Sequence, residues 1–164
     1  MIPTDIDSKS IWRALEAVKD PEIPIISVVD LGIVTDVIIN DDDSIVVKMT
    51  PTFTGCPALD LMRQQMREAV EALGIEKVEV MVDRTVTWNS NRVTDKGKKQ
   101  LEQFGLDSPR QHTGTVTAVM VEHARCPNCG SENTSLRSPF GSALCRSIHI
   151  CYDCKQSFEK FKEV

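Results

Sequence analysis

Two cysteine pairs restrict the fold more than any other feature of the chain. Cys126-Pro-Asn-Cys129 and Cys151-Tyr-Asp-Cys154 are separated by 21 residues. A two-residue spacer lets both thiolates of a pair turn toward one ion, and two such pairs complete a tetrahedron of sulfur. Four soft anionic ligands suit zinc, with iron in a rubredoxin-like centre as the alternative. The predicted metal ligands are therefore Cys126, Cys129, Cys151 and Cys154. A closed four-thiolate shell leaves no position for water or substrate, so the ion is expected to be structural. A module of roughly forty residues buries little apolar surface, and metal binding, worth about 10–16 kcal/mol in comparable modules, would supply its folding energy. The intervening NTSLRSPFGSALCRSIHI reads as a hairpin that returns the chain to the first pair. Within it Cys145 reads as a small apolar hairpin residue and His149 as solvent-facing. A spare thiol at Cys145 for transient metal or cluster transfer is the alternative, which the spacing does not compel.

Of the six cysteines only Cys56 precedes residue 125. No apolar run reaches the roughly 18–20 residues that span a bilayer. The opening MIPTDIDSKS has no basic region followed by an apolar stretch. The expectation is a cytoplasmic protein without a membrane partner, whose clustered thiols serve metal rather than disulfides. Charge weighs against nucleic acid. Up to Trp88 there are 8 Lys/Arg against 16 Asp/Glu, a net of −8, and from Cys126 onward 5 against 4, a net of +1. The first segment would repel a polyanion and the last has little to attract one.

Ahead of the cysteine pairs the pattern is that of an α+β domain. Ile11, Trp12, Ala14, Leu15 and Val18 predict a helix near residues 8–19, capped by Asp7 or Ser8 and ended by Pro21. Residues 32–40 and 44–49, joined by NDDDS, predict a hairpin. Leu59, Met62, Met66, Ala69, Val70 and Leu73 predict a helix over 57–73, with Pro57 opening it and Gly74 closing it. A third strand follows over 77–82. The order α-β-β-α-β implies a small mixed sheet with helices on it, followed by a four-cysteine zinc-ribbon module. The expected divisions are an α+β domain over 1–88, a helix and polar linker over 89–122, and the ribbon over 123–164. Within the middle part, 94–104 reads as a helix, DSPRQHTG as linker, and 115–121 as a strand or an extended lead into the ribbon.

Cys56 is the second candidate for chemistry. Standing directly before Pro57, it would cap the second helix, where the dipole and unpaired amides favour a thiolate and should lower its pKa. Thr50, Thr52 and Thr54 offer hydroxyls nearby, and Asp20, Glu22 and Asp30 lie in the other irregular segment and could gather near it. The plainer alternative is a buried capping cysteine with carboxylates on a solvated loop. No catalytic constellation is visible. The three histidines lack carboxylates at helical ligand spacing, and neither a phosphate-binding glycine loop nor a GxSxG motif occurs. A nucleophile pairing of Cys56 with His112 or His123 is disfavoured, and the chain reads as an accessory protein rather than an enzyme.

Asp20-Pro21-Glu22, Asp30-Leu31-Gly32-Ile33-Val34, Thr50-Pro51-Thr52 and Cys56-Pro57 resemble the iron–sulfur assembly domain family, which includes SufT. Cys126-Pro-Asn-Cys129-Gly-Ser, Ser138-Pro-Phe-Gly-Ser142, Cys145 and Cys151-Tyr-Asp-Cys154 narrow the resemblance to the PaaD (PaaJ) family, encoded with the multicomponent phenylacetyl-CoA oxygenase (epoxidase) of phenylacetate degradation. The resemblance covers nearly the whole chain. It implies help in maturing an iron–sulfur or di-iron centre of that oxygenase, with the oxygenase components and the iron–sulfur assembly machinery as protein partners. A non-catalytic subunit of the oxygenase complex is the alternative, and a homodimer is left open. It also implies that Cys56, Asp20, Glu22, Asp30 and Thr52 handle a transient iron or iron–sulfur cluster.

Overall fold

The computed structural model describes residues 6–164, which divide into two compact units, one ending at Trp88 and one running from Asn89 to Val164. In the first unit α1 (Ser8–Glu16) begins where Asp7 accepts the Ser10 amide and hydroxyl, each at 2.8 Å. This occupies an amide that the helix itself cannot satisfy. Ile11 and Leu15, four residues apart, are completely buried on its inner face. Strands β1 (Val34–Ile39) and β2 (Ile45–Met49) pair antiparallel, with Ile39 opposite Ile45. Helix α2 (Leu59–Glu71) then crosses to β3 (Val78–Val82), which runs parallel to β2. The sheet order is β1-β2-β3. Helix α2 buries Met62, Met66 and Val70, and strand alternation brings Ile45, Val47, Met49 and Val80 into the same core. Gly74, at φ 89°, ends the α2 segment in a conformation that β-carbon-bearing residues avoid.

Both strand-edge devices in this unit are local. On β3, Arg63 of α2 donates to the Val80 carbonyl through Nη2 at 3.0 Å and Nε at 3.3 Å. On β1 a bulge interrupts the register between Val34 and Asp36. The irregular segment before β1 is held from outside its own sequence: the buried Trp88 indole donates to the Leu31 carbonyl at 2.9 Å. Thr50 follows β2 with its amide on Ile33 O (2.8 Å) and its hydroxyl on Val86 O (2.9 Å).

The second unit carries a sheet of order β4-β7-β6-β5, built from β4 (Leu106–Asp107), β5 (Thr134–Ser138), β6 (Arg146–Cys151) and β7 (Ser157–Phe161). Helix α3 (Asp95–Gln103) starts at Thr94, whose hydroxyl accepts the Gly97 amide at 2.9 Å, and buries Leu101. Three expectations change here. Residues 115–121 form no strand; they lead into a short helix, α4 (Ala118–Glu122), capped by Thr117 and with no buried residue. A short helix leaves terminal carbonyls free, and the Lys160 ammonium takes two of them, as described below. The expected linker DSPRQHTG begins within β4, which pairs with β7, and is pinned further on. Arg110 donates its amide to Glu163, and Asn91 exchanges two hydrogen bonds with the His112 backbone. His149 is fully buried rather than solvent-facing, because β6 alternation turns Ser147, His149 and Cys151 inward together. Its Nε2 meets Ser147 Oγ at 2.9 Å, its ring stacks on Phe158, and burial pushes its pKa down to about 4. Cys145 is buried in the hairpin. No helix among the described residues is long and apolar enough to cross a membrane.

Candidate metal centre and thiol site

The four predicted ligands converge. The sulfurs of Cys126, Cys129, Cys151 and Cys154 all lie within 4.8 Å of one another. Cys126 to Cys154 and Cys129 to Cys151 each measure 3.6 Å. Tetrahedral zinc with Zn–S bonds of about 2.3 Å requires sulfurs about 3.8 Å apart, so the cage fits that ion. Both pairs sit in equivalent turns. The Gly130 amide returns to Cys126 O at 2.8 Å, the Cys126 amide bonds Ser131 O at 2.9 Å, and the Cys151 amide bonds Gln156 O at 2.9 Å. The residue after each second cysteine is left-handed: Gly130 at φ 75° and Lys155 at φ 63°. Asp153 joins the turns by accepting the Ser131 hydroxyl and, at 2.7 Å, the Asn133 side-chain amide.

Electrostatics show why such a cage needs a cation. Asn128 and the Gln156 amide donate toward Cys154 and draw its thiol down to about 6. The Ser131 amide favours a Cys129 thiolate, but burial and the hydrogen bonds with Cys151, Cys154 and Cys126 leave that thiol pushed up to about 12. Four thiolates this close repel one another, and a divalent ion removes the repulsion. Zinc there would hold the turns together. The apolar cluster beneath them is only Ala124, Cys126, Cys151 and Phe158, with Cys154 packed against it.

The first unit places Cys56 differently from expectation. Helix α2 begins at Leu59, three residues after Cys56, and no side chain caps it. The backbone amides of Ala58 and Leu59 still favour the Cys56 thiolate, but they do not prevail. Burial of the half-buried thiol pushes its pKa up, and the Asp20 and Glu22 carboxylates push it further. The expected lowered pKa is therefore corrected: burial and two carboxylates disfavour the thiolate. Asp20 is held by the Glu22 and Ile23 amides, each 2.8 Å from Oδ1. Asp30 is buried and closes its own turn, accepting Ser27 Oγ at 2.9 Å while Ser27 Oγ accepts the Asp30 amide at 2.9 Å. Thr52 stands half-buried in the loop that leads to Cys56.

What sequence reasoning missed is a buried charged cluster in the second unit. Lys160 and Glu163 are both completely buried as an ion pair at 2.8 Å, and Asp107 is buried nearby, with burial pushing its carboxyl up. SFEKFKEV gives little warning, since alternating charges usually mark a solvated strand face.

Comparison with known proteins agrees with this architecture. A family described as iron–sulfur cluster assembly protein matches residues 8–82, and the PaaD zinc β-ribbon domain family matches residues 110–162. A protein of Escherichia coli K12, named as a "Putative 1,2-phenylacetyl-CoA epoxidase" subunit, is 34% identical over 152 residues, covering 93% of this chain and 90% of its own. An "Fe-S protein maturation auxiliary factor" of Porphyromonas gingivalis is 33% identical over 94 residues, 57% of this chain and 89% of its own. The crystal structure of a DUF59 domain from Bacillus anthracis, 28% identical, superposes with a TM-score of 0.52 over 57% of this chain and 89% of its own. Fold and cysteine cage thus define an iron–sulfur-assembly-type α+β domain followed by a four-cysteine zinc ribbon. Within that class, the chain belongs to the PaaD family.

Proposed function

We propose that this protein is a non-catalytic accessory factor that assists maturation of an iron–sulfur or di-iron centre in a phenylacetyl-CoA oxygenase (epoxidase) system. The carrying observation is the surrounding of Cys56: one half-buried thiol, two backbone amides directed to it, and the Asp20 and Glu22 carboxylates close enough to raise its pKa. A raised thiol is a poor nucleophile at neutral pH. It becomes a ligand when an arriving cation displaces its proton, and sulfur with carboxylate oxygen is a donor set iron accepts. Cys56, Asp20 and Glu22 would thus take iron or a cluster transiently as cargo, and Thr52 and Asp30 would assist them. The naming of relatives as a maturation factor and as part of an epoxidase supports this reading. Its partners would be the oxygenase components and the assembly machinery, in the cytoplasm.

The test is metal content of the client. Cys56→Ala should leave folding and ribbon zinc intact while lowering iron occupancy of the oxygenase matured in the same cells. Unchanged client occupancy would remove the proposal. A permanent structural component of the oxygenase is the second reading, favoured by the naming of the Escherichia coli relative as one of the epoxidase's subunits. Stoichiometric co-purification with the oxygenase, together with an inert Cys56→Ala substitution, would establish it instead.

A further inference from the structure

The two halves of the metal cage are supported unequally. Cys151 ends β6, and Cys154 lies in the turn between β6 and β7, so the second pair rides on a hydrogen-bonded hairpin. Residues 123–126, which deliver the first pair, belong to no strand or helix. Side chains fix their backbone instead. Lys160, on β7, donates to Met120 O at 2.7 Å and His123 O at 2.6 Å, and its third partner is Glu163 at 2.8 Å. Thr134 Oγ1 donates to Ala124 O at 2.7 Å, and Asp107 Oδ2 accepts the Arg125 amide at 2.9 Å.

We propose that Lys160 is a positioning residue of the ribbon's metal centre, strapping the lead into Cys126 onto the same hairpin that carries Cys151 and Cys154. The ammonium donates to two backbone carbonyls and is paired with the buried Glu163 carboxylate, so three contacts hold it in place. The strap holds residues 120–125, the lead into the first cysteine pair, on the hairpin before metal arrives. Without it the ion must order residues 120–126 on binding, which weakens affinity. Outer contacts of this kind are commonly worth about 10–100-fold in metal affinity.

Removing Lys160 alone would strand the Glu163 charge, so the test uses Lys160→Met combined with Glu163→Gln, which keeps an acceptor for the Arg110 amide. Lys162→Met is the control. Lys162 is also buried, but it donates to Pro139 O at the far end of the hairpin. Zinc affinity is measured in the full-length protein by chelator competition, after stoichiometric zinc in the wild type has been verified. A wild type that binds no zinc would overturn the proposal together with the zinc reading on which it rests. The double variant should bind zinc at least about tenfold more weakly. Its zinc-saturated form should remain folded, with faster amide exchange over residues 120–126. Lys162→Met should retain wild-type affinity, and Lys160→Gln combined with Glu163→Gln, which keeps an amide donor at position 160, should fall between. A folded double variant with wild-type zinc affinity would overturn the proposal. So would a double variant that fails to fold with zinc in excess, because Lys160 would then be a general structural residue.

Discussion

Removing the ribbon's metal should unfold the two cysteine turns and leave the first unit intact. Ordering residues 126–131 and 151–156, roughly a dozen in all, costs on the order of 12 kcal/mol at about 1 kcal/mol each. The cluster beneath them offers one phenylalanine, one alanine and the cysteines themselves. Burying those apolar groups returns about 2–3 kcal/mol. The shortfall of about 9–10 kcal/mol is close to the roughly 10–16 kcal/mol that a structural zinc supplies. Chelation should therefore abolish amide protection at Cys126, Gly130 and Cys151, whose amides now bond Ser131, Cys126 and Gln156. The four cage thiols should become reactive in the same step. Trp88 and Trp12 both lie in the first unit, so tryptophan fluorescence should not change. Hydrogen exchange with mass-spectrometric readout, run beside a colorimetric zinc-release assay, makes the comparison. Persistent protection at those three amides after complete zinc release would refute this accounting.

Two further outcomes follow from the first unit. Cys56 alkylation should keep accelerating above pH 9, the ordinary thiol value, because its folded pKa is raised. Asp20→Asn or Glu22→Gln should speed alkylation at about pH 8 by removing a carboxylate that disfavours the thiolate; slower labelling in both would contradict the assigned cause. Trp88→Phe should destabilise the first unit by about 1–3 kcal/mol, since Leu31 O loses its indole donor within a buried contact. Urea unfolding followed by circular dichroism gives that value, and an unchanged midpoint would count against it.

The sequence was informative where chemistry repeats at fixed spacing. Two two-residue spacers sufficed to gather four sulfurs, and the helical rhythm of Met62, Met66 and Val70 marked the buried face of α2. It was less informative where one side chain decides the backbone's course. TVTAVMV is rich in β-branched residues, yet a strand needs a neighbour for its ladder, and here the Met120 carbonyl goes to Lys160 instead. The polar run after Leu106 looked solvated because its hydrogen bonds are made to distant Asn91 and Glu163. At Cys56 the position before a proline suggested an activated thiolate. The opposing influence of burial and two carboxylates from 34 or more residues earlier depends on tertiary structure.

The guanidinium of Arg63 on Val80 has a consequence for how this molecule meets others. A three-stranded sheet has two open margins, each a template on which a stranger's backbone can dock and grow the sheet outward. One margin here is kinked by the irregularity at Val34 and Asp36, and the other has an acceptor already claimed. Trading Arg63 for a short uncharged residue would free that acceptor and invite chain-to-chain stacking, a liability for any protein that must visit its clients and leave again.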